Sequence, residues 1–107
     1  SAMKRMEIIL NQSIEEDFSE ACRLQNVGTH FTKIPAVQGA GFSVPKMGNG
    51  VWPQLNACFV IYCSDAECKK ITAIVNLLRK TYPKEGIACF VRKTLTRCNV
   101  QHQSQKT

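Results

Sequence analysis

Leu55-Asn56-Ala57-Cys58-Phe59-Val60-Ile61-Tyr62-Cys63 is the most apolar stretch of the chain. In an extended segment Leu55, Ala57, Phe59 and Ile61 share one side, while Cys58, Val60 and Tyr62 make the other side largely apolar too. A strand of that kind belongs in the middle of a sheet, covered on both faces. The rest of the chain can be read outward from it.

Upstream, residues 29–37 are rich in β-branched and aromatic types but contain Pro35, which cannot donate to a ladder and predicts an edge strand. Four glycines and two prolines in residues 38–53 predict a long excursion rather than a tight turn. Further back, residues 5–10 alternate, with Met6, Ile8 and Leu10 on one side and Glu7 and Ile9 on the other. Ser13-Ile14-Glu15-Glu16 reads as a capping box opening a helix, with Ile14, Phe18, Ala21 and Cys22 at helical spacing and Gly28 as its stop. Downstream, Ser64-Asp65-Ala66-Glu67 is a second capping box; Cys68, Ile71, Val75 and Leu78 form the buried stripe, and Pro83 ends the helix. Residues 87–91 form a last strand, and from about residue 94 the chain is polar and expected to be partly disordered.

The predicted order is strand, helix, strand, loop, strand, helix, strand: an α+β, ferredoxin-like βαββαβ domain over residues 1–93 with a four-stranded antiparallel sheet. Ser1-Ala2 ahead of Met3 reads as a cloning remnant and is set aside. A chain of 107 residues supports one such domain. At 44% hydrophobic and 21% charged residues, the composition excludes a disordered chain. Both helices cover one face of such a sheet. The other face would carry Cys58, Val60 and Tyr62 with Ala88 and Phe90, an apolar patch that predicts self-association.

Of the six cysteines, Cys58, Cys63 and Cys89 sit inside apolar strand-like runs and Cys22 and Cys68 on the apolar side of helical patterns, which reads as reduced structural thiols in a cytoplasmic protein without an export signal. No stretch is long and apolar enough to insert into a membrane. The net charge of +6 is scattered and comes with no nucleic-acid-binding motif, so no nucleic-acid partner is expected.

Met3-Lys4-Arg5-Met6-Glu7-Ile8-Ile9-Leu10, Val27-Gly28 and residues 32–41 ending in Gly39-Ala40-Gly41 resemble nitrogen regulatory PII proteins. The resemblance covers about residues 3–93 and implies a homotrimer without enzymatic activity. It implies adenine nucleotide (ATP or ADP) as an effector bound between subunits, and control of a target protein (an enzyme, a transporter or an efflux system, with a membrane-protein target included) through a loop over residues 40–53. By that resemblance Gly39, Gly41 and Phe42 line one wall of the ligand cleft. Lys84, Glu85, Gly86 and Ile87 line the other, with Arg92 or Lys93 reaching phosphate. Ser43, Lys46, Met47 and Trp52 would be the partner-contact residues. The chain departs from the pattern in having Pro83-Lys84-Glu85-Gly86 where family members carry Gly-Asp-Gly-Lys, in Phe42 where an arginine follows the glycine turn, and in a loop without tyrosine, which excludes uridylylation there.

Three rival readings fit parts of the pattern. Acylphosphatases share the topology but need an arginine in a glycine-containing loop after the first strand, where this chain has Asn11-Gln12-Ser13; neither His30 nor His102 has an acid partner in the pattern. A metal-responsive trimer of the divalent-cation tolerance type is the alternative function, with Cys63 and Cys68 thiolates as its candidate ligands, although no metal site is assigned. A small-molecule sensor akin to amino-acid-binding regulatory domains would use Trp52 and Phe42.

Overall fold

The computed structural model describes residues 3–37, 55–93 and 98. The strands are β1 (Lys4–Asn11), β2 (Phe31–Val37), β3 (Asn56–Cys63) and β4 (Ile87–Arg92); the helices are α1 (Glu15–Leu24) and α2 (Asp65–Thr81). The four strands form one sheet in the order β2-β3-β1-β4, antiparallel throughout. This is the ferredoxin-like βαββαβ arrangement expected from the pattern, with β1 and β3 central. β2 is an edge strand, and its pairing with β3 shifts register between Ile34 and Val37, the interval that contains Pro35.

Alternation decides the core. Met6, Ile8 and Leu10 of β1 and Ala57, Phe59, Ile61 and Cys63 of β3 are buried on the face that carries the helices. Ile14, Phe18 and Cys22 from the α1 region, and Cys68, Ile71, Ile74, Val75 and Leu78 from α2, close over them. Phe18 and Phe59 meet with ring centroids 5.0 Å apart at a tilted angle, a favoured aromatic geometry. Each such side chain contributes about 1.5–3 kcal/mol of burial. All six cysteines are free thiols; Cys22, Cys63 and Cys68 are buried and Cys98 is exposed.

Two local expectations are corrected. The first capping box does not form around Ser13: Asn11 caps instead, its side-chain oxygen accepting from the Ser13 amide at 2.8 Å, and residues Gln12–Ile14 make a 3-10 turn before α1 begins at Glu15. An asparagine closing β1 reaches those amides first because the chain turns immediately after it. Nor is Gly28 the stop of α1. Asn26 takes the left-handed conformation (φ 54), the Asn26 amide donates to the Arg23 carbonyl, and the Val27 amide donates to Cys22 at 2.9 Å. That is a Schellman ending, completed by the packing of buried Val27 beside Cys22. Gly28, at φ 67, makes the next turn toward β2.

At α2, Ser64 Oγ accepts from the Glu67 amide at 3.2 Å, as the capping pattern requires. Glu67 does not reach back to Ser64; its carboxylate accepts from the Gly28 amide at 2.6 Å and ties the exit of α1 to the start of α2. Among the described residues no helix is long and apolar enough to cross a membrane.

Candidate functional site

The register defines the open sheet face row by row. One row runs Tyr62, Arg5, Arg92; the next Thr32, Val60, Glu7, Phe90; the next Ile34, Cys58, Ile9, Ala88; the last pairs Asn56 with Asn11. Phe90 (59% exposed), Ile34 (47%) and Tyr62 (45%) leave large apolar surface uncovered there. The edge strands are bare on their other face as well: Phe31 of β2 and Val91 of β4 point to the helix side yet remain exposed. Long apolar edges of this kind invite pairing with another chain.

Gly39, Gly41, Phe42, Ser43, Lys46, Met47 and Trp52 lie outside the described residues, as does the whole segment 40–53. Val37, the last residue of β2, pairs with Asn56, which pairs with Asn11; beside that row Ile87 opposite Leu10 begins β4. The segment that leads into Gly39 and the turn that carries Lys84, Gly86 and Ile87 therefore stand at the same end of the sheet on opposite edges. Three strand spacings separate them, roughly 14 Å.

The turn before β4 is tied down by several hydrogen bonds. The Tyr82 amide donates to Leu78 at 2.8 Å, the Glu85 amide donates to Tyr82 at 3.0 Å, and the Tyr82 hydroxyl donates to the Asp17 carboxylate. Arg79 donates through Nη2 to the Ile87 carbonyl at 2.9 Å and through Nη1 to Asn76 at 3.3 Å, fixing where β4 starts. Sequence reading missed Arg79 because the solvent side of a helix gives no sign of which exposed arginine bends back onto a strand. Gly86 is open: among the described residues, its chain neighbours aside, a Cβ there would meet no atom within 4 Å. Lys84 is exposed beside it. Arg92 is not brought to this turn; it lies at the far end of β4 from Ile87, about 17 Å along the strand.

Burial governs the thiols. Burial pushes the Cys22 thiol up to about 11, and burial with the neighbouring Cys68 pushes Cys63 up to about 11. Burial also raises Cys58 and Cys89. A raised pKa favours the protonated thiol, which a metal ion would have to displace in order to bind. Among the described residues no cluster of three or more His, Cys, Asp or Glu side chains is placed to hold a metal ion.

No protein-family model and no curated protein matches the chain. Solved structures do. CPII, a nitrogen regulatory PII-like protein from Thiomonas intermedia K12, superposes in its complex with ADP and bicarbonate at a TM-score of 0.62, with 13% identity over 84% of this chain and 83% of CPII. Its complex with ADP, AMP and acetate gives 0.62, with 16% identity over 89% of each chain. A protein described as PII-like and signalling, from Thermus thermophilus, gives 0.57, with 17% identity over 97% of this chain and 98% of that one. At such identities the likeness is one of fold. The chain is a divergent example of the PII-like fold.

Proposed function

We propose that this chain is a non-enzymatic regulator of the PII-like type: a cytoplasmic homotrimer that binds an adenine nucleotide between subunits and controls a target protein through residues 40–53. The observation that supports this reading is that Val37 at the end of β2, which leads toward Gly39, and Ile87 at the start of β4 stand at one end of the sheet on opposite edges. One ligand meets both only if a second copy brings its β2 edge to the β4 edge of the first. β2 and β4 run in opposite directions, so a ring of copies about an axis along the strands sets each β4 antiparallel to its neighbour's β2. Exposed Phe31 and Ile34 on one edge, and Phe90 and Val91 on the other, supply the apolar surface for that contact.

In such a cleft Gly39, Gly41 and Gly86 let backbone amides approach phosphate, Lys84 offers it a cation, and Phe42 and Ile87 give apolar wall. Nucleotide binding then shifts the population of conformers of residues 40–53 that the target recognises. The ADP and AMP complexes of CPII favour an adenine nucleotide as the effector, and free thiols fit a reducing compartment.

Calorimetric titration of the full chain with ADP, together with its mass by sedimentation equilibrium, tests the reading. Saturable binding at one nucleotide per chain in a trimer is expected. A monomer, or a trimer that releases no heat and gains no thermal stability with ADP, overturns it; a genuine ligand at a hundredfold excess over Kd adds about 2.7 kcal/mol. Deleting residues 43–51 is expected to abolish target binding and leave the trimer intact.

A further inference from the structure

Arg5 on β1 and Arg92 on β4 are direct cross-strand partners, and both lie on the open face by the alternation that buries Met6 and Ile8 on the other. The Cβ atoms of such a pair stand about 4.5–5.5 Å apart, and like charges so placed repel. The charge is poorly answered among the described residues. The Arg5 guanidinium approaches Glu7 at 3.4 Å, long for a charge-assisted hydrogen bond, and both side chains are partly exposed. Arg5 Nε is buried and has no hydrogen-bond partner among the described residues. Arg92 is exposed and forms no ion pair among them. Tyr62, opposite Arg5 on β3, adds a hydroxyl to the same row.

We propose that Arg5 and Arg92 form a clamp for a small oxoanion of the phosphate type, with the Tyr62 hydroxyl as a flanking donor. Two planar guanidinium groups side by side present paired N–H donors that match the oxygens of phosphate, and the bound charge removes the repulsion between them. The flanking row carries no further cation: Val60 and Phe90 lie on either side of Glu7, and Thr32 stands at its edge. The clamp therefore suits a compact anion and not a polymer that needs an extended basic stripe. It lies about 17 Å along β4 from Ile87 and stands apart from the proposed nucleotide cleft. Neither site needs the other.

The test uses the full chain labelled with nitrogen-15. Its arginine Nε–Hε signals are followed by NMR as inorganic phosphate is added, with sodium chloride at matched ionic strength as the control. Saturable shifts of the Arg5 and Arg92 signals with phosphate, and not with chloride, are expected. Arg92→Gln should weaken binding about tenfold or more through loss of one fork, and Arg92→Lys, which keeps the charge, should weaken it less. Glu7→Gln, which removes the competing carboxylate, should tighten it by about threefold. Phenyl phosphate in a parallel series distinguishes a phosphate monoester from the free ion, since the tighter of the two marks the source. Equal shifts with chloride, or undiminished phosphate saturation in both Arg92 variants, overturn the proposal.

Discussion

The Glu67 carboxylate accepts the Gly28 backbone amide at 2.6 Å across 39 residues of sequence. The bond joins the end of the α1 turn, where Gly28 holds a positive φ, to the first turn of α2, where Glu67 also donates its own amide to Ser64. One side chain thereby fixes how the two helices enter and leave the layer over the sheet. Truncating it strands a buried amide. Glu67→Ala is expected to destabilise the fold by about 1–3 kcal/mol, and Glu67→Gln by less because an acceptor oxygen remains. Urea denaturation of both variants checks the order.

Asn26 ends α1 in the left-handed conformation at φ 54. Asn26→Gly is expected to be neutral or slightly stabilising, whereas Asn26→Val should cost about 1–2 kcal/mol because a β-branched side chain meets the following carbonyl there. Melting temperatures of the pair, compared with the parent, decide it. Equal stability of both variants would remove the Schellman ending from the account of α1.

Cys22 and Cys63 titrate at about 11 in the fold because burial disfavours the thiolate, against about 8.5 in an unfolded chain. Their folded pKa is raised, so the native state holds protons that the unfolded state gives up between about pH 8.5 and 11. Their contribution is fully present below that window and is lost as pH rises through it. Stability should therefore fall on the alkaline side, and Cys22→Ala with Cys63→Ala should flatten the decline even though each lowers stability at neutral pH. Alkylation by iodoacetamide should take exposed Cys98 first and buried Cys22 and Cys63 last.

Gly86 offers a substitution that separates binding from folding. Among the described residues a Cβ there would meet nothing within 4 Å beyond its chain neighbours, so Gly86→Ala should change stability by no more than about 0.5 kcal/mol. If a phosphate approaches the backbone at this turn, the same change weakens the ADP-dependent rise in melting temperature. An unchanged rise would place the nucleotide elsewhere.

The order of elements, the faces of β1 and β3, the edge position of β2 and the stripe of α2 were legible in the residues themselves. Each depends on interactions within a few positions: the two-residue alternation that buries Met6, Ile8 and Leu10, the 3–4-residue recurrence from Cys68 to Leu78, the missing donor of Pro35 and the Ser64 cap. Where two local solutions competed the sequence did not choose correctly. Asn11 and Ser13 both suit a cap, and Asn26 and Gly28 both suit a left-handed turn; the path of the chain out of β1 and toward β2 selected between them.

Tertiary structure alone decided the rest. Glu67 is written as half of a capping box, but packing of α1 against α2 brings the Gly28 amide within its reach. Arg5 and Arg92 look like scattered surface charge until the β1–β4 register sets them opposite each other; a one-residue slip would turn either to the other face. The same register holds Arg92 away from Ile87 and sets the end of β2 and the start of β4 at one end of the sheet on opposite edges. Local periodicity specifies which face a residue takes, because it rests on backbone geometry. Which distant residue it meets is settled by the strand order and the packing of the whole chain.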